Sequence, residues 1–199
     1  MSILDEFILS LGQSSHMDSL EQMLSFILAK SRRHTSAEAG SIFVVRPLEG
    51  ENQELQAYSI QNDRIPVKNE MFTIPLSTSS IAGYVASTGE VLEIDDLYEL
   101  DASLPFKFNR SFDDKDGYRS MSMLAFPLKN YQGHVIGVVQ LLNHIEGVDA
   151  LGKPNYAPFP MSHVDDMKSV MTILGAMVER VDLLGEIKTL KAKIEELEG

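Results

Sequence analysis

The sequence predicts an α+β domain in which helices pack against an antiparallel sheet. Three observations lead to this fold class. Apolar residues near the start recur with a helical period, and the middle of the chain changes to short segments rich in β-branched and aromatic residues. A helical pattern then returns from Ser162 to the end of the chain. Because the strands come in one run between the helices, the order favours helices on the faces of an antiparallel sheet.

The first long helix is predicted over residues 17–33. Its apolar residues recur at intervals of three and four and form one stripe, and basic residues close its last turn. The stripe consists of Leu20, Met23, Leu24, Ile27 and Leu28. A shorter helix is predicted within an N-terminal extension over residues 1–16, which ends in a glycine- and serine-containing break.

Two short strands are predicted to follow and to pair as an antiparallel hairpin, SIFVVR at 41–46 and ELQAYSI at 54–60. A third strand is predicted near MFTIPL, residues 71–76. The serine- and threonine-rich run after it offers N-cap residues, and Gly89 stands where a helix would stop. We therefore expect a short helix from Ile81 to Ser87.

The next segments alternate between apolar and polar character. VLEI at 91–94 predicts a brief strand, and the aspartate-rich stretch 95–106 predicts a polar connection. The most apolar segments, 121–128 and 134–143, predict two central strands joined by a tight turn. Residues 146–160 contain two glycines and three prolines and are predicted to form an irregular loop.

The last helix carries an apolar seam with spacings of 4, 3, 4 and 3 residues, which is typical of a coiled coil. Its members are Leu183, Ile187, Leu190, Ile194 and Leu197. We predict a coiled-coil-like signalling or linker helix over 181–199 that pairs in a parallel homodimer. The alternative is one more core helix that packs on its own domain.

Charge and hydropathy narrow the classes of partner. The chain has 29 acidic and 17 basic residues and a net charge of -12, which works against nucleic acid or an anionic membrane as a partner. A small-molecule ligand or another protein is the expected partner. No apolar run has the length of a spanning helix, and the first residues lack the positive charge of a signal peptide, so a cytoplasmic location is expected.

The absence of cysteine excludes thiolate catalysis, disulfides, thioether-linked chromophores and cysteine-ligated zinc. The five histidines lack the spacing of a helical metal pair and are predicted to be scattered surface residues. The neighbouring carboxylates Asp95 and Asp96 are interpreted as helix caps, because no third ligand or histidine accompanies them. The sequence therefore predicts no metal site and no catalytic residues.

Several segments, in the same order and at similar separations, resemble a GAF domain. They are AEAGSIFVVR, SIAGYVASTGEVLEIDDLY, FNRSFDDKDGYRSMSMLAFPL and GHVIGVVQLLN. The resemblance covers residues 17–180. Within that family, the segments resemble the GAF domains of cyclic-nucleotide phosphodiesterases, bacterial adenylyl cyclases and GAF-containing bacterial signalling proteins. It implies a GAF-like, PAS-related fold with a central six-stranded antiparallel sheet flanked by helices, dimerisation through the terminal helices, and no catalysis within the domain.

The resemblance also implies a ligand pocket closed by a lid segment, residues 109–120. The ligand-binding positions that it implies are Ser41, Phe43, Ile81, Ala82, Asn109, Phe112, Asp113, Asp116, Ser120 and Gln140. Side-chain amides can read the edge of a purine, and backbone N–H groups at the start of the helix near Ile81 can receive a phosphate. Two positions depart from the family pattern: His144 follows Asn143 where a lysine is usual, and Asp116 replaces a threonine.

We therefore expect a non-enzymatic sensory domain that binds a small ligand, with cyclic AMP or cyclic GMP as candidates. Ligand closure would shift the terminal helices of a dimer and signal to a downstream effector domain in a longer chain. The alternative is a ligand-free dimerisation and interaction scaffold, in which Phe43, Phe112 and Met123 would fill the pocket.

Overall fold

The structure, a computed structural model, describes residues 20–47, 53–67 and 72–198. The helix predicted within residues 1–16 lies outside these ranges. The described helices are α1 (Leu20–His34), α2 (Ile81–Thr88), α3 (Ser111–Asp116) and α4 (Met161–Glu198). The strands are β1 (Ala37–Pro47), β2 (Gln53–Asn62), β3 (Thr73–Pro75), β4 (Leu92–Ile94), β5 (Met123–Lys129), β6 (Val135–Val148) and β7 (Pro154–Ala157).

All strands form one antiparallel sheet in the order β3-β2-β1-β6-β5-β4, and β7 pairs with the far end of β6. This confirms the predicted α+β class and places β5 and β6 inside the sheet. The loop predicted over 146–160 is wrong in part, because β6 continues to Val148 and the chain turns back as β7. Proline is tolerated at the first residue of a strand and on an edge strand, so Pro154 is compatible with this added strand.

The two faces of the sheet bury separate apolar clusters. Alternate residues of a strand point to opposite faces, so Ile42 and Val44 of β1 pack under α1 and α4, whereas Phe43 packs under α2. The stripe predicted for the first helix is confirmed, since Leu24, Ile27 and Leu28 are among its buried residues. The cavity described below lies on the second face, beside Phe43, Ile81 and Ala82.

Helix α4 packs on the sheet only over its first half. Buried residues of α4 extend from Val164 to Val178. Beyond Val181 the apolar residues are about half exposed, including Ile187 at 48% and Leu190 at 57%. The seam residue Leu197 lies outside the described side chains. No helix in the described ranges is long and apolar enough to span a membrane.

Three histidines meet at the junction of α1, β6 and α4, so the prediction of scattered surface histidines is wrong for them. The ring of His163 lies 5.3 Å from that of His144 and 5.7 Å from that of His34. His144 is buried and its Nδ1 lies 2.8 Å from the carbonyl oxygen of Thr35. His34 Nε2 lies 2.9 Å from Asp166 Oδ2. Tertiary packing of residues far apart in sequence creates this cluster.

The histidine cluster predicts a loss of stability in acid. Burial, followed by the charges of His144 and His34, lowers the pKa of His163, and Asp166 opposes this shift. The unfolded chain therefore binds a proton more readily than the folded one. The free energy of unfolding falls as the pH drops below about 6.5, the pKa of an unperturbed histidine, towards the lower pKa of His163 in the folded protein. Replacing His163 with glutamine should reduce the loss of unfolding free energy between about pH 7.5 and 5.5.

Urea denaturation at a series of pH values measures this difference. The matched control is His134→Gln, which removes an exposed histidine from the β5–β6 turn and should keep the pH profile of the unchanged protein. If the unchanged protein and His163→Gln lost the same unfolding free energy between these pH values, His163 would not be the group responsible for the acid sensitivity.

Candidate functional site

A cavity of about 350 Å³ lies on the α2 face of the sheet, between β1, β2 and β6 on one side and the lid segment on the other. Helix α2 closes one end, and Phe72 and Ile74 line the end near β3. The lining is mainly apolar, with a small number of amide, hydroxyl and charged side chains. A cavity of this size and character is typical of a small-molecule site.

The structure brings the predicted ligand-binding residues together with one exception. Those that line the cavity are Ser41, Phe43, Ile81, Ala82, Asn109, Phe112, Asp113, Ser120 and Gln140. Asp116 ends α3 with an exposed side chain and does not line the cavity. Asp116 is the last residue of α3, directly before the Gly117 C-cap, where its side chain is exposed, whereas Asp113 takes the buried position.

Local capping positions α2 at the cavity. Ser80 is the N-cap, and its hydroxyl accepts a hydrogen bond of 3.1 Å from the N–H of Gly83. Gly89 takes a φ of 68° at the C-cap, a conformation that costs glycine little. The helix start predicted at Ile81 and the stop predicted at Gly89 are both confirmed, and the first turn of α2 faces the cavity.

The lid segment is held down by the buried carboxylate of Asp113. Its Oδ2 accepts hydrogen bonds from the N–H of Ser120 at 2.7 Å and the hydroxyl of Tyr98 at 2.9 Å, and its Oδ1 accepts one from the Ser120 hydroxyl at 2.9 Å. Asp113 is 2% exposed. A buried carboxylate with three donors ties α3 to Tyr98 before it and to Ser120 after it.

Two arginines stack on the ring of Tyr98 at the outer side of the lid. The guanidinium carbons of Arg110 and Arg119 lie 4.2 and 4.6 Å from the ring centroid. Arg119 also forms an ion pair of 3.1 Å with Asp96. Burial and the Asp113 carboxylate raise the pKa of Tyr98, so its hydroxyl stays protonated and donates to Asp113.

A second buried carboxylate, Glu38 on β1, ties the end of the lid to the sheet. Its Oε2 accepts hydrogen bonds from the hydroxyl of Tyr118 at 2.7 Å and the amide of Asn143 at 3.1 Å, and its Oε1 accepts one from Tyr156 of β7. Burial and Glu38 raise the pKa of Tyr118, which keeps this hydroxyl a donor. The sequence analysis did not find Glu38 or Tyr118, because three of the partners are far from β1 in sequence.

Asn143 fixes the same region from β6. Its backbone takes a left-handed φ of 58°, and its Oδ1 accepts a 2.6 Å hydrogen bond from the N–H of Met121. The next residue, His144, packs against Phe159 with ring centroids 5.3 Å apart. Where the family pattern has a lysine, this chain therefore has a buried aromatic contact within the histidine cluster.

The sequence analysis also missed Lys107, which lines the cavity just before the lid. Its N–H donates to the carbonyl oxygen of Ser79 at 3.0 Å, and its backbone bridges to Ser80, so it lies beside the start of α2. Within the described ranges, no group of three or more histidine, aspartate or glutamate side chains is arranged to hold a metal ion.

A sequence model of the GAF domain family matches residues 19–176. Among curated proteins, the chain is 31% identical over 154 residues to a probable 3',5'-cyclic phosphodiesterase, pde-5, of Caenorhabditis elegans, covering 73% of this chain and 20% of that protein. It is also 31% identical over 120 residues to a cGMP-specific 3',5'-cyclic phosphodiesterase of Drosophila virilis, covering 57% of this chain and 13% of that protein. The chain thus spans a fifth or less of the length of these relatives.

The fold agrees with a solved structure of low sequence identity. The GAF domain of a phosphoenolpyruvate-protein phosphotransferase from Coxiella burnetii superposes with a TM-score of 0.67 at 15% identity, covering 94% of this chain and 98% of that one. At this identity the likeness concerns the fold alone. The resemblance noted in the sequence segments is confirmed by the family match.

Proposed function

We propose that this chain, which belongs to the GAF domain family, is a regulatory domain that binds a small ligand between the sheet and the lid segment. The first candidates for the ligand are cyclic AMP and cyclic GMP, because curated relatives are named as cyclic phosphodiesterases. The proposal assigns the domain a sensory role without a catalytic step. The observation that carries it is the cavity of about 350 Å³ lined by the residues that the family resemblance implies.

The same observation argues against a ligand-free scaffold. That alternative expects Phe43, Phe112 and Met123 to fill the pocket. All three line the cavity, yet its volume remains open beside them, and Phe112 is 49% exposed at the lid instead of packed inward. Open space next to polar side chains is what a ligand site requires.

Signal output is proposed to run through α4 to an effector domain in a longer chain. The domain proper would span 17–180 and the signalling helix 181–199, because packing on the sheet ends near Val181. The exposed seam beyond this point supports a parallel homodimer, since it leaves apolar side chains that a second copy of the helix would bury. Ligand binding would then change the relative positions of the two helices.

A thermal-shift titration tests ligand binding. A compound that binds only the folded protein must raise the melting temperature by mass action. We expect a saturable rise with cyclic AMP or cyclic GMP, a smaller rise with AMP or GMP, and loss of the effect in Asn109→Ala. No rise with either cyclic nucleotide at millimolar concentration would reject them as ligands.

Sedimentation of an α4 variant tests the dimer separately. Ile187→Glu places a charge in the seam and should raise the dimer dissociation constant by at least about tenfold, because both copies lose an apolar contact. Lys188→Glu, the next residue along the helix, is the control for a new acidic residue outside the seam. Equal dissociation constants for both variants would contradict pairing through this seam.

A further inference from the structure

Two side-chain amides and one ammonium group of the described cavity lining offer hydrogen-bond donors. The first of these amides belongs to Asn109, and its hydrogen bonds fix which end of the amide faces the protein. Its Oδ1 accepts hydrogen bonds from the N–H of Ser111 at 3.0 Å and from the Ser111 hydroxyl at 2.7 Å. Because a backbone N–H can only donate, the oxygen of the amide must face Ser111, and the NH2 group is left for another partner.

Gln140 lies on the opposite wall, where a hydroxyl contacts its amide. Its Oε1 accepts a hydrogen bond of 3.3 Å from the hydroxyl of Ser41. Its NH2 group has no partner within the described part of the chain. The two side-chain amides therefore offer donors from the lid and from β6 to the same space.

The strong acceptors of the described lining are already in use. The Asp113 carboxylate accepts three hydrogen bonds from Tyr98 and Ser120. The Asn62 oxygen accepts from the N–H groups of residues 64 and 65, and the Gln61 oxygen accepts from Arg32. A ligand that brought donors would have to break one of these bonds or leave its own donors unpaired, and both outcomes cost affinity.

Lys107 adds a positive charge to these donors. In the described ranges its ammonium group has neither a hydrogen-bond partner nor an ion-pair partner. Asp113 lines the same cavity, but its carboxylate already accepts three hydrogen bonds from the protein. Lys107 is thus the one charged side chain of the described lining that is available to a ligand.

From this arrangement we infer that the cavity selects a small anionic molecule rich in hydrogen-bond acceptors, with Lys107 facing the anionic group and the amides of Asn109 and Gln140 facing its neutral acceptors. The inference rests on the proposed function in that it uses the same cavity. It goes beyond it because it names Lys107 as the residue that selects charge. Either a phosphodiester or a carboxylate could provide the anionic group that faces Lys107.

Matched probes of opposite charge test the inference. Indole-3-acetate and tryptamine carry the same ring system with a carboxylate and an ammonium group, and cyclic AMP and adenosine differ by the phosphate. Dissociation constants from NMR titration are expected to favour the anion of each pair. Lys107→Met should weaken the binding of the anions by roughly fivefold, a modest factor because the lysine is exposed, and should leave the binding of adenosine unchanged.

Lys115→Met is the matched control, because this exposed lysine of α3 does not line the cavity. Two results would overturn the inference. One is tighter binding of tryptamine than of indole-3-acetate, and the other is no binding of any anionic probe at a concentration of about 10 mM. If cyclic AMP binds equally well to Lys107→Met, the inference fails and the proposed function stands. If indole-3-acetate shows the Lys107 dependence and no cyclic nucleotide binds, the inference stands and the nucleotide proposal fails.

Discussion

Replacing Asp113 with alanine is expected to lower the free energy of unfolding by about 3 kcal/mol and to release the lid segment. The substitution removes the carboxylate that accepts hydrogen bonds from Ser120 and Tyr98. The N–H of Ser120 would lose its partner in a buried position, which is more costly than the loss of an exposed contact. Urea denaturation gives the stability change, and hydrogen exchange at residues 109–121 reports lid opening.

The neighbouring residue is the control for this experiment. Asp114 is exposed on the same helix, so Asp114→Ala should change the unfolding free energy by no more than about 0.5 kcal/mol. Asp113→Asn keeps the size of the side chain but brings an NH2 group towards protein donors, and it should destabilise nearly as much as alanine. An Asp113→Ala protein with unchanged stability and unchanged exchange at the lid would show that the carboxylate does not hold it.

Replacing Gly175 with alanine is expected to destabilise the domain by about 2 kcal/mol, although alanine is the better helix former. A Cβ at this position of α4 would lie 2.1 Å from the carbonyl oxygen of Lys129 on β5, closer than any real contact. Because the obstacle is backbone, the helix itself has to move away from the sheet. The same substitution should alter the position of α4, which is the proposed output element.

Gly185 provides a control on the same helix. A Cβ added there meets nothing within 4 Å, so Gly185→Ala should stabilise the helix by up to about 1 kcal/mol. The two alanine variants should therefore change the unfolding free energy in opposite directions. Equal effects of both variants would contradict the close packing of α4 on β5.

Local patterns in the sequence predicted the elements whose signals are themselves local. The stripe of the first helix, the hairpin of β1 and β2, and the cap residues around α2 each depend on neighbours within a few positions. β7 was missed for a physical reason. Its glycine- and proline-rich surroundings have the composition of a loop, and only the long β6 strand beside it provides the hydrogen-bonding partner.

As with the strands and helices, the sequence predicted only part of the candidate site. The family resemblance pointed to residues that do line one cavity, apart from Asp116. It did not point to Glu38 and Tyr118, which meet across 80 positions of sequence. It also did not point to Lys107, which forms no ion pair with any described residue. Hydrogen-bond partners that are far apart in sequence, and charged groups without an ion-pair partner, can be identified only when the packing is known.

The central claim is that a small ligand binds in the cavity. Titration calorimetry on a variant whose cavity is filled by a large side chain tests this claim most directly. Ser41 is buried on β1 with its side chain at the cavity, and phenylalanine at this position would occupy the space assigned to the ligand. We expect cyclic AMP or cyclic GMP to bind the unchanged protein, and Ser41→Phe to weaken that binding by at least about tenfold while the protein stays folded. Binding of the same nucleotide with equal affinity to Ser41→Phe would place the site elsewhere, and no binding of either nucleotide to the unchanged protein would contradict the account.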